Sequence, residues 1–370
     1  MRIVICANTA WNLVNFRSGL INALIARGIE VVAVAPPDAA NAQKLLELGC
    51  RFEPMAMDNM GTSPLRDLVL LARFVRLFRQ LKPDAFLGYT IKPNIYGSFA
   101  ARICGIPAIN NISGLGTAFL SKGWLNRVAT LLYARALGNS LHVFFQNPDD
   151  RRVFLERRLA VAAKSSVLPG SGVDLDWFSP ALPGPRRAGH QLRFLLIGRL
   201  LRDKGIVEYA DAAREIKKQY PETQFTVLGF LDVENRSAID RQTLNAWIDE
   251  DIIAYAGSTE DVRPYIEDAD CVVLPSYREG TPRTLLEAAA MAKPIVASDV
   301  PGCREVVDDG ENGYLCLAKS STDLARKMRQ MIEATLDERA EMGLKSREKA
   351  VQKFDQRKVI ESYLSLVGSL

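Results

Sequence analysis

Histidine and paired cysteine are scarce in this chain. Its 370 residues hold two histidines, His142 and His190, and six cysteines, Cys6, Cys50, Cys104, Cys271, Cys303 and Cys316, with no C-x-x-C pair among them. That argues against a zinc site or a disulfide framework. The thiols read instead as small buried apolar groups in a reducing compartment. No apolar run reaches the length of a membrane-spanning helix. The short apolar run over residues 1–7 lacks the charged flank of a signal peptide, so a cytoplasmic protein is expected. The Walker loop G-x-x-x-x-G-K is missing, and no G-x-G-x-x-G fingerprint follows the first strand. The second absence counts against an NAD-dependent oxidoreductase. No acidic metal site is evident, and no metal is expected.

What is present is ordinary for a soluble globular protein: 48% apolar and 24% charged residues. The net charge of +4 hides an asymmetry. Residues 1–180 hold 20 Lys and Arg against 12 Asp and Glu, and the remainder holds 27 against 31. A basic first half suggests an anionic partner. No nucleic-acid motif accompanies the charge, so an anionic membrane surface or a phosphorylated acceptor is expected, and no nucleic acid.

Apolar runs at 3–7, 31–35, 85–88, 108–112, 142–146 and 166–168 read as strands. Helical patterns over 19–27, 40–48, 64–81, 95–103 and 126–137 alternate with them. This rhythm predicts an α/β fold with a parallel sheet and helices on both faces. Residues 178–189 carry three prolines and two glycines without apolar period, and read as a linker. The rhythm then restarts, with strands at 192–197, 224–228, 252–256, 271–275 and 295–298. Helices at 206–219, 259–266, 282–292 and 321–334 accompany them, and the tail from about 352 is helical. Two domains are expected, 1–180 and 190–354, with a final helix at about 355–370.

The sharpest local signal runs Leu274-Pro275-Ser276-Tyr277-Arg278-Glu279-Gly280-Thr281-Pro282-Arg283-Thr284-Leu285-Leu286-Glu287-Ala288. A strand ends, a polar loop follows, and a helix starts with proline in its first turn, where a missing N–H costs nothing. The free N–H groups of that turn suit a phosphate. Glu279 precedes the helix and Glu287 lies more than a turn inside it. A nucleotide crossing the helix start meets sugar-hydroxyl and ribose-hydroxyl acceptors in turn. Taken as an isolated pair, Glu287 reads as a solvated helix carboxylate and Glu279 as a helix-dipole partner.

The second signal is Ile197-Gly198-Arg199-Leu200-Leu201-Arg202-Asp203-Lys204-Gly205. A strand gives way to a glycine turn and two cations. Arg199 and Lys204 belong at the carboxyl edge of the sheet, where open α/β folds bind ligands. A guanidinium fork and a compact ammonium can neutralise a diphosphate without metal. Alone, this loop reads as a solvated basic turn.

Together these residues, with Gly302, Glu305 and Asn312-Gly313, resemble the retaining glycosyltransferase family 4, whose E-x7-E signature matches the Glu279–Glu287 spacing. The resemblance implies the GT-B architecture: two Rossmann-like domains facing across a cleft, with the last helix crossing back to the first. It implies that Arg199 and Lys204 bind the donor diphosphate and that Glu279 touches the donor sugar. Gly198, Gly280, Thr281, Pro282 and Arg283 then lie near the sugar and phosphates, and Glu287 holds the ribose. Gly229, Ile253, Gly257 and Val262 lie near the base. A retaining front-face transfer needs no enzyme base, because the leaving phosphate oxygen takes the acceptor proton.

The first half is similar to bacterial enzymes of lipid-linked oligosaccharide assembly. The stretches that carry the likeness are Asn8-Thr9-Ala10-Trp11, Asn15-Phe16-Arg17-Ser18-Gly19-Leu20, Tyr89-Thr90-Ile91-Lys92-Pro93-Asn94 and Asn111-Ile112-Ser113-Gly114-Leu115-Gly116. The likeness implies a UDP-sugar donor, GalNAc or GlcNAc, and an undecaprenyl-diphosphate saccharide acceptor. The acceptor-side candidates are Asn15, Phe16, Arg17, Ser18, Gly19, Thr90, Lys92, Asn94, Ser113 and Gly114. Arg17 and Lys92 are candidates to hold an acceptor phosphate or the donor. The family's first-domain histidine and its glycine pair after the first strand are both replaced here, by Tyr89-Thr90-Ile91-Lys92 and Phe16-Arg17-Ser18-Gly19.

Residues 64–82 are strongly amphipathic. Arg66, Arg73, Arg76 and Arg79 gather on one side, and Leu68, Leu71, Val75, Phe78 and Leu81 on another. Such a helix packs on a sheet or lies on anionic lipid. Phe119, Trp124 and Leu125 near Lys122 and Arg127 suggest a second interfacial stretch. The expectation is an enzyme peripheral to the inner face of the cytoplasmic membrane. Two alternatives share the architecture: a nucleotide-sugar-binding protein without catalysis, and a non-hydrolysing nucleotide-sugar epimerase.

Overall fold

The computed structural model describes residues 1–58, 63–114, 124–180, 192–231, 235 and 237–370. The chain forms two units: residues 1–171 with Gln356–Leu370, and Gly172–Asp355.

In the first unit seven strands form one sheet: β1 Arg2–Cys6, β2 Glu30–Ala35, β3 Arg51–Pro54, β4 Ala85–Tyr89, β5 Ala108–Ile112, β6 His142–Phe145 and β7 Ser165–Val167. Their order is β3-β2-β1-β4-β5-β6-β7, parallel throughout. A parallel sheet buried on both faces needs near-continuous apolar strands, and Ile3–Cys6 is wholly buried. Alternate residues of β1 feed opposite layers. Ile3 and Ile5 pack with Leu20, Leu24 and Tyr363, whereas Val4 and Cys6 pack with Phe74, Phe78 and Phe86.

The second unit repeats the plan with six strands: β8 Arg193–Ile197, β9 Gln224–Leu228, β10 Ala254–Tyr255, β11 Cys271–Leu274, β12 Ile295–Ser298 and β13 Gly313–Cys316. Their order is β10-β9-β8-β11-β12-β13, again parallel. Both sheets therefore reverse direction beside their first strand, at β1/β4 and at β8/β11. That is the doubly wound arrangement, with ligands expected in the crevice at the reversal.

Several sequence expectations need correction. The first domain ends at Ser171, not at 180. Val173, Leu175 and Phe178 are buried in the second unit's core, and the Val173 N–H donates to the Phe354 carbonyl at 2.8 Å. Residues 181–189 of the expected linker lie outside the described residues. The first long helix starts at Ala10, well before 19, because the Thr9 hydroxyl caps it by accepting from the Asn12 N–H at 3.1 Å. Strands β3 and β13 were not expected. Both are edge strands, and β3, Arg-Phe-Glu-Pro, has no apolar run to read.

The C-terminal helix Gln356–Gly368 belongs to the first unit, where Val359, Tyr363 and Val367 are buried. Gly19 makes room for it: a Cβ there would meet Gln356 Oε1 at 2.8 Å and Ile360 Cδ1 at 3.4 Å. The amphipathic helix Pro64–Leu81 buries Leu70, Phe74, Phe78 and Leu81. Leu68, assigned to the apolar stripe from sequence, is exposed, as are Leu65 and Val69 and all four arginines. No helix among the described residues is long and apolar enough to cross a membrane. The six cysteines are free, five of them buried.

Candidate active site

The second unit's reversal point is built from two loops that glycines press together. After β8 the chain makes a short turn at Arg202–Lys204 and enters the Ile206–Lys217 helix through Gly205, whose φ is 75°. A Cβ on Gly205 would lie 2.2 Å from the Pro275 carbonyl oxygen in the loop after β11. Only glycine tolerates both that conformation and that approach. The Tyr277 N–H then donates to the Asp203 carbonyl at 2.9 Å, fastening one loop to the other.

This brings Lys204 against Glu279. Lys204 Nζ donates to Glu279 Oε1 at 2.5 Å, with both side chains largely buried. Arg199 is exposed and makes no ion pair among the described residues. One loop further, the Arg283–Ala290 helix begins. Pro282 is its N-cap, with ψ 118°, and not its first helical residue as expected. No side chain caps this helix and no acidic residue occupies its first turn. The Leu285 N–H turns back to the Pro282 carbonyl at 3.0 Å, and the dipole of this start, which no side chain caps, favours an anion. Arg283 Nε donates to Glu287 Oε1 at 3.0 Å, one turn along the same helix. Burial raises the Glu287 carboxyl above its ordinary value, and Arg283 opposes that rise. Gly280, Thr281 and Pro282 are buried beneath this helix start. Gly302, with φ 84°, underlies the loop: a Cβ there would fall 2.2 Å from the Gly280 carbonyl oxygen.

Of the residues assigned to the base, Gly229 sits at the end of β9. Its N–H donates to the Gly257 carbonyl at 2.7 Å and its carbonyl accepts from the Tyr255 hydroxyl at 2.9 Å. A Cβ on Gly229 would lie 1.8 Å from the Gly198 carbonyl oxygen, so glycine backbone meets glycine backbone where β8 and β9 end. The Ile253 side chain is buried in the core, so only its backbone is offered to a ligand. Val262 caps the next short helix and packs half-buried on the core.

Sequence reasoning overlooked two supports. Tyr277 donates to Glu208 Oε1 at 2.6 Å, and Lys319 stands 4.8 Å over the Tyr277 ring. No spacing signal marks Glu208 or Lys319, because their link to the loop exists only in three dimensions. Among the described residues no group of three His, Cys, Asp or Glu side chains is placed to hold a metal.

The first-unit candidates are arranged differently. Asn15, Phe16, Arg17, Ser18 and Gly19 all lie within the Ala10–Ala26 helix, not in a loop. Asn15 donates back to the Trp11 carbonyl at 2.9 Å, and Phe16 meets the Trp11 ring edge-on at 5.1 Å. Arg17 is buried with its guanidinium 4.1 Å over the Tyr89 ring. Lys92 is taken: its Nζ donates to Asp67 at 2.7 Å, and the Tyr96 hydroxyl shares the same carboxylate at 2.8 Å. Thr90 has φ 66°, and Asn94 is buried, donating to the Asn111 carbonyl at 2.8 Å. Ser113 donates to Asn111 Oδ1 at 3.2 Å, and Gly114 has φ 141°. Leu115, Gly116, Phe119 and Lys122 lie outside the described residues, as do the side chains of Trp124 and Leu125.

Comparison with known proteins gives this geometry a family. Residues 184–349 match the family described as glycosyl transferases group 1, and residues 15–170 match the glycosyl transferase 4-like domain. The chain is 26% identical to the N,N'-diacetylbacillosaminyl-diphospho-undecaprenol alpha-1,3-N-acetylgalactosaminyltransferase of Campylobacter jejuni, over 99% of this chain and 98% of that one. It is 25% identical to the UDP-Gal:alpha-D-GlcNAc-diphosphoundecaprenol alpha-1,3-galactosyltransferase of Escherichia coli, over 71% and 70% of the two chains. The solved structure of Anabaena HepE with UDP-glucose has the same fold, with a TM-score of 0.80 at 20% identity over the whole of both chains. With both family matches in chain order across two doubly wound sheets, the chain belongs to the group 1 and 4-like glycosyltransferases and is built on the GT-B plan.

Proposed function

We propose that this protein is a retaining glycosyltransferase that moves an N-acetylhexosamine, GalNAc or GlcNAc, from its UDP donor to an undecaprenyl-diphosphate-linked saccharide. The observation that carries the reading is the Lys204–Glu279 contact at the β8/β11 reversal, with Arg199 exposed beside it and the Arg283–Glu287 pair one helix turn on. The named relatives that act on undecaprenyl-diphosphate sugars support the acceptor class.

In this reading Glu279 accepts from the donor-sugar hydroxyls and Glu287 from the ribose. Arg199, Lys204 and the uncapped helix start meet the diphosphate. As the sugar–phosphate bond breaks, negative charge grows on the leaving oxygen, and these fixed donors stabilise it most at that moment. The acceptor hydroxyl attacks from the same face and its proton passes to the leaving phosphate oxygen. The step needs no side-chain base, and we propose that it needs no metal. Exposed Leu65, Leu68 and Val69 beside the four exposed arginines of the Pro64–Leu81 helix support a peripheral seat on anionic lipid at the inner face of the membrane.

The test is a panel of UDP-sugars offered with an undecaprenyl-diphosphate monosaccharide in EDTA, with the product read by mass spectrometry and its anomeric centre by NMR. The expected result is one added N-acetylhexosamine whose linkage keeps the donor's configuration. An inverted linkage, or full loss of transfer in EDTA, overturns the mechanism.

A further inference from the structure

Arg17 is a buried cation with no counter-charge among the described residues. Its side chain is 3% exposed, and it makes no hydrogen bond or ion pair among the described residues. Its Nε is sealed from solvent with no acceptor. Its one contact of note is the Tyr89 ring, 4.1 Å below the guanidinium. A ring face holds an arginine in place but does not replace the water that burial removes. Arginines buried in this way are normally matched by a carboxylate or held ready for an anion.

Its position favours the second case. Arg17 lies two turns into the helix that follows β1, and Tyr89 ends β4. Those neighbouring strands form the first sheet's own reversal point, the place where such sheets take ligands. Thr90, next in the chain, is held at φ 66°, a conformation a β-branched residue adopts only under local constraint. Asn94 follows, 1% exposed, and its Oδ1 has no partner among the described residues. Lys92, the other cation offered for a phosphate, is committed to Asp67.

We infer that Arg17 forms a second anion site, in the first unit, that takes a phosphoryl oxygen of a diphosphate-linked saccharide acceptor. Its fork donates to the phosphate while Tyr89 fixes the plane of the guanidinium. The inference rests on the acceptor class proposed above. It assigns recognition of the acceptor's diphosphate to a residue distinct from the donor's Arg199 and Lys204.

Two variants test it, Arg17→Met, which keeps the stem and removes the charge, and Arg17→Lys. Each is assayed with an undecaprenyl-diphosphate saccharide and with the same saccharide on a neutral alkyl chain. Arg17→Met should lower kcat/KM for the diphosphate acceptor by about 10- to 100-fold, through KM, as expected for losing charge-assisted hydrogen bonds. The neutral acceptor and the KM for the UDP-sugar should be unchanged, and Arg17→Lys should recover part of the loss. A melting experiment needs no transfer and so stands apart from the activity. With UDP saturating, added pyrophosphate should raise the Tm of the wild type and not of Arg17→Met, and the unliganded variant should melt no lower than wild type. Equal losses on both acceptors, a raised UDP-sugar KM in place of the acceptor's, or a lower unliganded Tm would each overturn the assignment.

Discussion

The two sheets reverse direction in the same way, yet their edges are equipped differently. At β8/β11 the lysine is matched to a glutamate, Lys204 to Glu279, and backbone is packed so tightly that Gly205, Gly229 and Gly302 have no room for a Cβ. At β1/β4 the cation has no carboxylate among the described residues, and the tight glycines, Gly19 and Gly88, face only side chains. The first arrangement suits a ligand with hydroxyls and a diphosphate together, because carboxylate and cation can each take one. The second suits an anion alone. A matched pair keeps its place when nothing is bound, whereas an unmatched cation raises the cost of the empty site.

The contrast can be broken most severely at Arg199. Arg199→Ala should lower kcat by about 100-fold or more if it faces charge that develops in the transition state. Steady-state kinetics with saturating UDP-sugar reads this directly, and near-normal turnover would leave Lys204 and the helix start as the whole anion site.

The glycines give the next effect. Gly205→Ala forces a Cβ into the Pro275 carbonyl at a positive φ, and should cost more than about 2 kcal/mol in denaturant unfolding. Gly19→Ala meets only the movable ends of Gln356 and Ile360, and gains about 1 kcal/mol of helix propensity, so its net effect should be near zero. Equal losses at the two positions would erase the distinction between the sheet edges.

Smaller effects are expected from Glu287. Its folded-state carboxyl is raised by burial, so the folded protein holds this proton more tightly than the unfolded chain. The stabilisation this supplies is complete below the ordinary value of 4.5 and is lost as pH rises through the raised value. Glu287→Gln should therefore flatten the Tm profile just above pH 4.5. In the wild type UDP affinity should weaken as pH falls through the same window, read by calorimetry. The smallest effect is at Lys92. Its charge is spent on Asp67, so Lys92→Met should cost about 1 kcal/mol of stability and leave the acceptor KM unchanged.

The β8/β11 edge was readable in sequence because its parts are contiguous. Gly198 to Gly205 and Pro275 to Glu287 are each one strand, one turn and one helix start, so spacing alone puts Lys204, Glu279 and Glu287 at the sheet's carboxyl edge. What joins the loops was not readable. The contact of Tyr277 with Glu208 spans 69 residues, and Lys319 reaches the same ring from after β13. On the other sheet, spacing suggested Lys92 and Arg17 as equals. Asp67, on a helix 25 residues upstream, separates them, and no local pattern announces it. Strand β3 escaped for a different reason: an edge strand half exposed to water carries no apolar run.

Lys204 is proposed to grip the departing diphosphate at the β8/β11 edge. The most direct measurement is the single-turnover transfer rate of Lys204→Ala with UDP-sugar bound at saturation. The expected rate is about 100-fold or more below wild type while the protein still binds UDP. A variant that turns over at the wild-type rate contradicts it.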